Sequence, residues 1–105
     1  MSRVRLTRPA RADIKAAAEW YEREREGLGL QFTDRVLEGI DRIADHPLAC
    51  RKVIGEARKQ ILDQFPYALF YTVESDGSII IACLHHKRSD AALRSRVKPK
   101  GPTPS

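Results

Sequence analysis

The chain has 105 residues, 42% hydrophobic and 31% charged, with 19 basic side chains against 14 acidic ones and a formal net charge of +5. That is one domain, large enough for a single core without disulfide or metal staples. Its longest unbroken apolar run, Ile79 to Leu84, falls far short of the ~20 residues that cross a bilayer, and Met1 to Leu6 lacks the apolar stretch of a secretory leader. The sequence therefore predicts a cytoplasmic protein with no membrane partner.

Arg3 to Thr7 alternates polar and apolar residues, the period of a short strand. Pro9 suits the first turn of a helix, where its missing N–H costs nothing. Ala10 to Glu26 is then rich in Ala, Glu, Arg and Lys, all strong helix formers, with Ile14, Ala17, Ala18 and Tyr21 as its apolar stripe. Gly27 and Gly29 bracket a break. Leu30 to His46 is a second amphipathic helix, with Phe32, Val36, Ile40 and Ile43 on one face and Pro47 as its stop. The short break makes the two an antiparallel hairpin, which the rings of Trp20 and Tyr21 are expected to anchor to a sheet.

From Arg51 onward the pattern is β. Arg51 to Ile54 and Glu56 to Gln64 read as strands separated by Gly55. Tyr67 to Glu74 and Ser78 to His86 form a hairpin around Ser75-Asp76-Gly77, where Gly77 can take positive φ. Ser89 to Val97 can add a short C-terminal helix with Ser89 as N-cap. The last eight residues hold three Pro and one Gly, a composition that reads as a disordered tail. Residues 1–97 form the domain and 98–105 the basic, proline-rich tail. The order β-α-α-β-β-β gives an α+β fold, a helical hairpin on one face of a largely antiparallel sheet. The other face is expected to be open.

The charge is uneven. Residues 87–105 hold Lys87, Arg88, Arg94, Arg96, Lys98 and Lys100 against Asp90 alone, whereas residues 1–86 balance 13 basic with 13 acidic side chains. A localised basic end can attract phosphate or an acidic protein segment. Cys50 and Cys83 have no zinc-type spacing, and Cys83 lies in an apolar strand, so both read as reduced thiols. Strand alternation sends His85 and His86 to opposite faces. Together with the absence of ligand spacing, this argues against a metal site. His46 fits a helix C-terminus.

Cleavage of RNA by its own 2′-OH needs a base, an acid and cations at the phosphate. His85, Arg58, Arg88 and Lys87, with the phenol of Tyr71, are the candidates; a structural, hydrogen-bonding His85 is the competing reading. Tyr67 and Tyr71 share a strand face, to stack on bases or, more in keeping with aromatic residues, to pack beneath the helices. No Gly-rich phosphate loop, GxSxG elbow or HExxH motif occurs.

Across residues 3–96 the chain resembles the RelE/ParE superfamily, toxins of bacterial type II toxin–antitoxin systems. The resemblance is carried by Ala12-Asp13-Ile14, Trp20-Tyr21-Glu22, Gly27-Leu28-Gly29 with Phe32, and Ile43 with His46-Pro47. In the β half it continues through Gly55, Arg58, Phe65-Pro66-Tyr67, Phe70-Tyr71 and His85-x-x-Arg88. The Gly27-Leu28-Gly29-x-x-Phe32 junction and the Phe65-Pro66-Tyr67 with His85-x-x-Arg88 pattern look closer to the ParE-like, plasmid-stabilisation branch. The resemblance implies a small toxin without a cofactor, held by a cognate antitoxin whose acidic segment folds on binding, in a toxin–antitoxin hetero-oligomer. It implies DNA gyrase as target in the ParE-like branch. In the RelE-like branch it implies ribosome-dependent endoribonuclease action on mRNA, with catalysis by His85, Arg58, Arg88 and Tyr71. Target or antitoxin binding falls to Tyr67, Tyr71, Lys87, Arg88, Arg94 and Arg96. A non-toxic, antitoxin-binding role is the third alternative.

Overall fold

The structure, a computed structural model, describes residues 3–87 and 90–97. Arg88, Ser89 and the tail 98–105 lie outside the described residues, and with them the Arg88 site, the Ser89 cap and the expected disorder. The elements in chain order are β1 (Val4–Leu6), α1 (Arg8–Glu24), α2 (Leu28–Asp45), β2 (Lys52–Ile54), β3 (Ala57–Ile61), β4 (Tyr67–Glu74), β5 (Gly77–His85) and α3 (Asp90–Arg94). The strands form one sheet in the order β1-β5-β4-β3-β2. Among the described residues only β1 and β5 run parallel; the rest is an antiparallel meander. The expected architecture stands, with a parallel edge that closes it.

Local chemistry sets the helix limits. Thr7 caps α1, its hydroxyl accepting the Ala10 N–H at 3.2 Å, so the helix starts two residues before the expected Ala10. α2 begins after Gly27, which sits at φ +87° and offers no side-chain cap. The cap comes from the preceding helix instead: the Glu22 carboxylate accepts the N–H groups of Gly27 and Gly29 at 3.0 Å. A negative group there also suits the positive end of the α2 dipole. Gly29 is required for a second reason, since a Cβ would stand 2.7 Å from the Ala18 carbonyl oxygen. The glycine junction is thus a clamp that sets the hairpin angle.

The helix-facing core gathers Phe32, Val36, Ile43, Leu69, Tyr71, Ile80 and Cys83, all buried. At one end Tyr21, Phe32, Phe65 and Tyr67 form an aromatic knot with ring centroids 4.7–6.0 Å apart. Stacked and edge-to-face pairs of this kind add to the burial of each ring, about 1.5–3 kcal/mol per large apolar side chain. Trp20 does not share in it. It is 49% exposed and touches only the edge of Tyr21 within this group. The expected anchor is Tyr21 alone, because consecutive helix residues lie ~100° apart and only Tyr21 falls on the apolar stripe.

The second sheet face is not open. Ala57, Ala68, Phe70, Ile81 and Ala82 form a smaller core there, sealed by Leu93 of α3. A bulge makes this work: Phe70 pairs with Ala82 and Tyr71 with Ile80, leaving Ile81 as the extra residue. Ile81 and Ala82 consequently both belong to the α3 side, while Ile80 and Cys83 face the helical hairpin.

Candidate functional site

The C-terminal end of β5 is where unsatisfied recognition chemistry collects. β1 is only three residues long and covers β5 over Ser78 to Ile80. Past that point, among the described residues, β5 has a strand neighbour on one side only, β4. Asp13 of α1 fills part of the vacated edge, its carboxylate accepting the Cys83 N–H at 3.0 Å. The same carboxylate takes both terminal nitrogens of Arg96, at 2.5 and 3.2 Å, and Arg96 also donates to the Ile81 carbonyl at 3.2 Å. The hydrogen bond to Asp13 holds the Arg96 guanidinium above its usual pKa.

Beyond Asp13 the edge opens into a groove of about 410 Å³ lined by Ala16, Ala17, Trp20, Tyr67, Leu84 and His85. It runs to a basic tip. Here the two histidines do not diverge as alternation predicts, because the strand ends at His85 and the next residue belongs to a turn. Their rings stack at 5.4 Å and 8°, and His85 meets the edge of Tyr67 at 6.1 Å. Lys59 reaches in from β3, its Nζ donating to the His86 carbonyl at 3.1 Å. Partial desolvation, together with Lys59, His85 and Lys87, holds His86 below the usual imidazole range. Nδ1 of His85 accepts the Lys87 N–H at 3.2 Å, so in the neutral ring the proton sits on Nε2. The exposed side of His85 is therefore a donor, suited to binding an anion and poorly suited to taking a proton from a hydroxyl.

The remaining predicted site residues are placed elsewhere. Tyr71 has no exposed surface; its hydroxyl donates to the Pro47 carbonyl at 2.8 Å, and burial raises its pKa further above neutrality. It cannot stack on a base or shuttle a proton to a surface substrate. Arg58 donates to the Cys50 carbonyl at 2.5 Å and sits opposite Tyr71, whereas His85 sits opposite Tyr67. Four residue steps along β4, about 13 Å of strand, separate the two register positions. Arg96 is tied to Asp13 and is a structural strut, not a free contact. Arg94 and Lys87 are exposed, and Tyr67 is half-buried, lining the groove on one side and the aromatic knot on the other.

Among the described residues no group of three His, Cys, Asp or Glu side chains is placed to hold a metal. Cys83 is buried, and desolvation with nearby Asp13 pushes its thiol up to about 12. Cys50 is half-buried against Gln60. No helix among the described residues is long and apolar enough to cross a membrane.

Sequence reasoning missed Trp20 as a surface group, although its place off the α1 stripe was the available signal. It also missed Asp13, whose partner lies 83 residues away and leaves no local trace.

Residues 4–90 match the family described as ParE toxin of type II toxin–antitoxin system, parDE. Among solved structures the chain is similar to one titled the chromosomal ParDE TA system from P. aeruginosa. That match has a TM-score of 0.72 at 19% sequence identity and covers 81% of this chain and 96% of the other. At that identity the likeness shows the fold. No curated protein matches the sequence.

Proposed function

The chain belongs to the ParE toxin family of type II toxin–antitoxin systems, and on that footing we infer that it arrests growth by binding DNA gyrase and not by cutting RNA. The observation that carries the choice is the dispersal of the groups RNA cleavage would need. Tyr71 is sealed in the core, Arg58 is committed to the Cys50 carbonyl, and His85 stands about 13 Å of strand from Arg58 with Nδ1 already bonded. A base, an acid and phosphate-binding cations have to meet within hydrogen-bond reach of one ribose. These do not. A binding poison has no such requirement; it needs an exposed surface of suitable charge.

In this reading the partner that holds the toxin in check is a cognate antitoxin in the cytoplasm. Its acidic segment meets Lys87 and the neighbouring tip, while exposed Arg94 and the tip face the target. The test is a gyrase assay with the purified chain, supercoiled plasmid and ATP. Stabilised DNA breaks, seen as linear plasmid after protease treatment, are the expected result. Intact supercoiling activity at a large molar excess of the chain would remove gyrase as the target.

A further inference from the structure

We propose that the occupant of the β5 tip is an acidic peptide segment, one carboxylate seated among Lys59, His86 and Lys87 and a neighbouring apolar side chain in the Trp20 groove, and that docking draws a proton onto His86. The proposal deepens the antitoxin reading above and rests on it for the partner's identity.

Three observations converge. First, the tip concentrates positive groups without acidic partners: no ion pair links Lys59 or Lys87 to a carboxylate among the described residues, and Lys59 bonds only a carbonyl there. Second, the groove that ends at the tip has an exposed indole, two alanines and Leu84 along it, which suits a side chain and a stretch of peptide. A nucleic-acid backbone would need cations along that path, and among the described residues no Lys or Arg lines the groove. Third, the His86 ring stacks on that of His85 at 5.4 Å, beside Lys59 and Lys87, an arrangement that disfavours a positive charge on His86 in the free chain.

Among the described residues, the charged and titratable groups facing the pair are Lys59 from β3, Lys87 from the turn and the Tyr67 phenol from β4. Asp13 of α1 closes the far end of the groove, but its charge is matched by Arg96. The free-state environment of His86 is thus net cationic, which lowers its pKa. A docked carboxylate reverses the sign of that field and raises it. Binding is then fully proton-assisted below the free-state value and loses that assistance as pH rises through the bound-state value. A rise of about one unit means about tenfold weaker binding on the alkaline side.

The experiment is an NMR titration of the imidazole C–H resonances across the neutral range. It is run on the free chain and then with a short synthetic peptide of alternating leucine and glutamate, with a thymidine oligonucleotide in parallel. The expected result is a His86 midpoint about one unit higher with peptide, a shift that Lys59→Gln with Lys87→Gln removes. Trp20→Ala is expected to weaken peptide binding while leaving the free-chain midpoints unchanged. An unmoved midpoint at about 1 mM peptide overturns the proposal. So does a shift produced by the oligonucleotide and not by the peptide. Gyrase is not read in this titration, so failure here leaves the gyrase assay standing, and failure there leaves this result standing.

Discussion

The aromatic knot and the β5 tip are neighbours, joined where Tyr67 meets His85, yet they are built on opposite terms. In the knot every ring packs against another, and Phe32 has no exposed surface. At the tip two imidazoles and two ammonium groups gather with no acid to balance them among the described residues. The lesson is a division of labour across a single residue pair. Burial fixes the position of Tyr67, Tyr67 steadies His85, and charge is left over for a partner.

Substitutions can break that comparison from either side. The largest effect belongs to Phe32→Ala, which empties the centre of the knot; a loss of about 3–5 kcal/mol in urea unfolding is expected. Next comes the alkaline limb of stability. The Cys83 thiol is raised from 9.0 to about 12 in the folded chain, so its contribution is complete below pH 9.0 and disappears as pH rises through the folded value. About 2–3 kcal/mol is expected to be gone by roughly pH 11, and Cys83→Val, which has no proton to lose, should flatten that limb in the same unfolding curves. Asp13→Ala follows at about 2 kcal/mol, because it strands the Cys83 N–H and the Arg96 guanidinium together. Adding Arg96→Met should restore part of it, measured as a double-mutant cycle.

Tyr71→Phe sharpens the contrast. It leaves the Pro47 carbonyl without its donor and should cost about 1–2 kcal/mol while growth arrest on expression persists. Full loss of toxicity in a folded Tyr71→Phe variant would return the phenol to the mechanism. His85→Gln is the smallest in stability, within about 0.5 kcal/mol at a surface position.

The hairpin and meander were legible because they rest on local signals: the Phe32, Val36, Ile40, Ile43 stripe, the Pro47 stop and the glycine turn at Gly77 all act within a few residues of one another. What escaped was set by distance or by element ends. The Glu22 clamp caps a helix that begins after it, so no capping residue stands at Gly27 to advertise it. The Asp13–Arg96 pair joins opposite ends of the chain, which turned an apparent surface cation into a strut. His85 and His86 were assigned to opposite faces by a strand rule that stops holding where the strand stops. The bulge at Ile81 put two consecutive residues on one face, and with Leu93 it closed a face that alternation alone left open.

The central claim, binding without RNA cleavage, is tested most directly by mapping RNA 5′ ends minutes after pulsed expression of the chain in a bacterial host. Growth arrest with no new ends phased to codons is the predicted result. Codon-phased ends that disappear in His85→Gln would contradict it and make the tip a catalytic site.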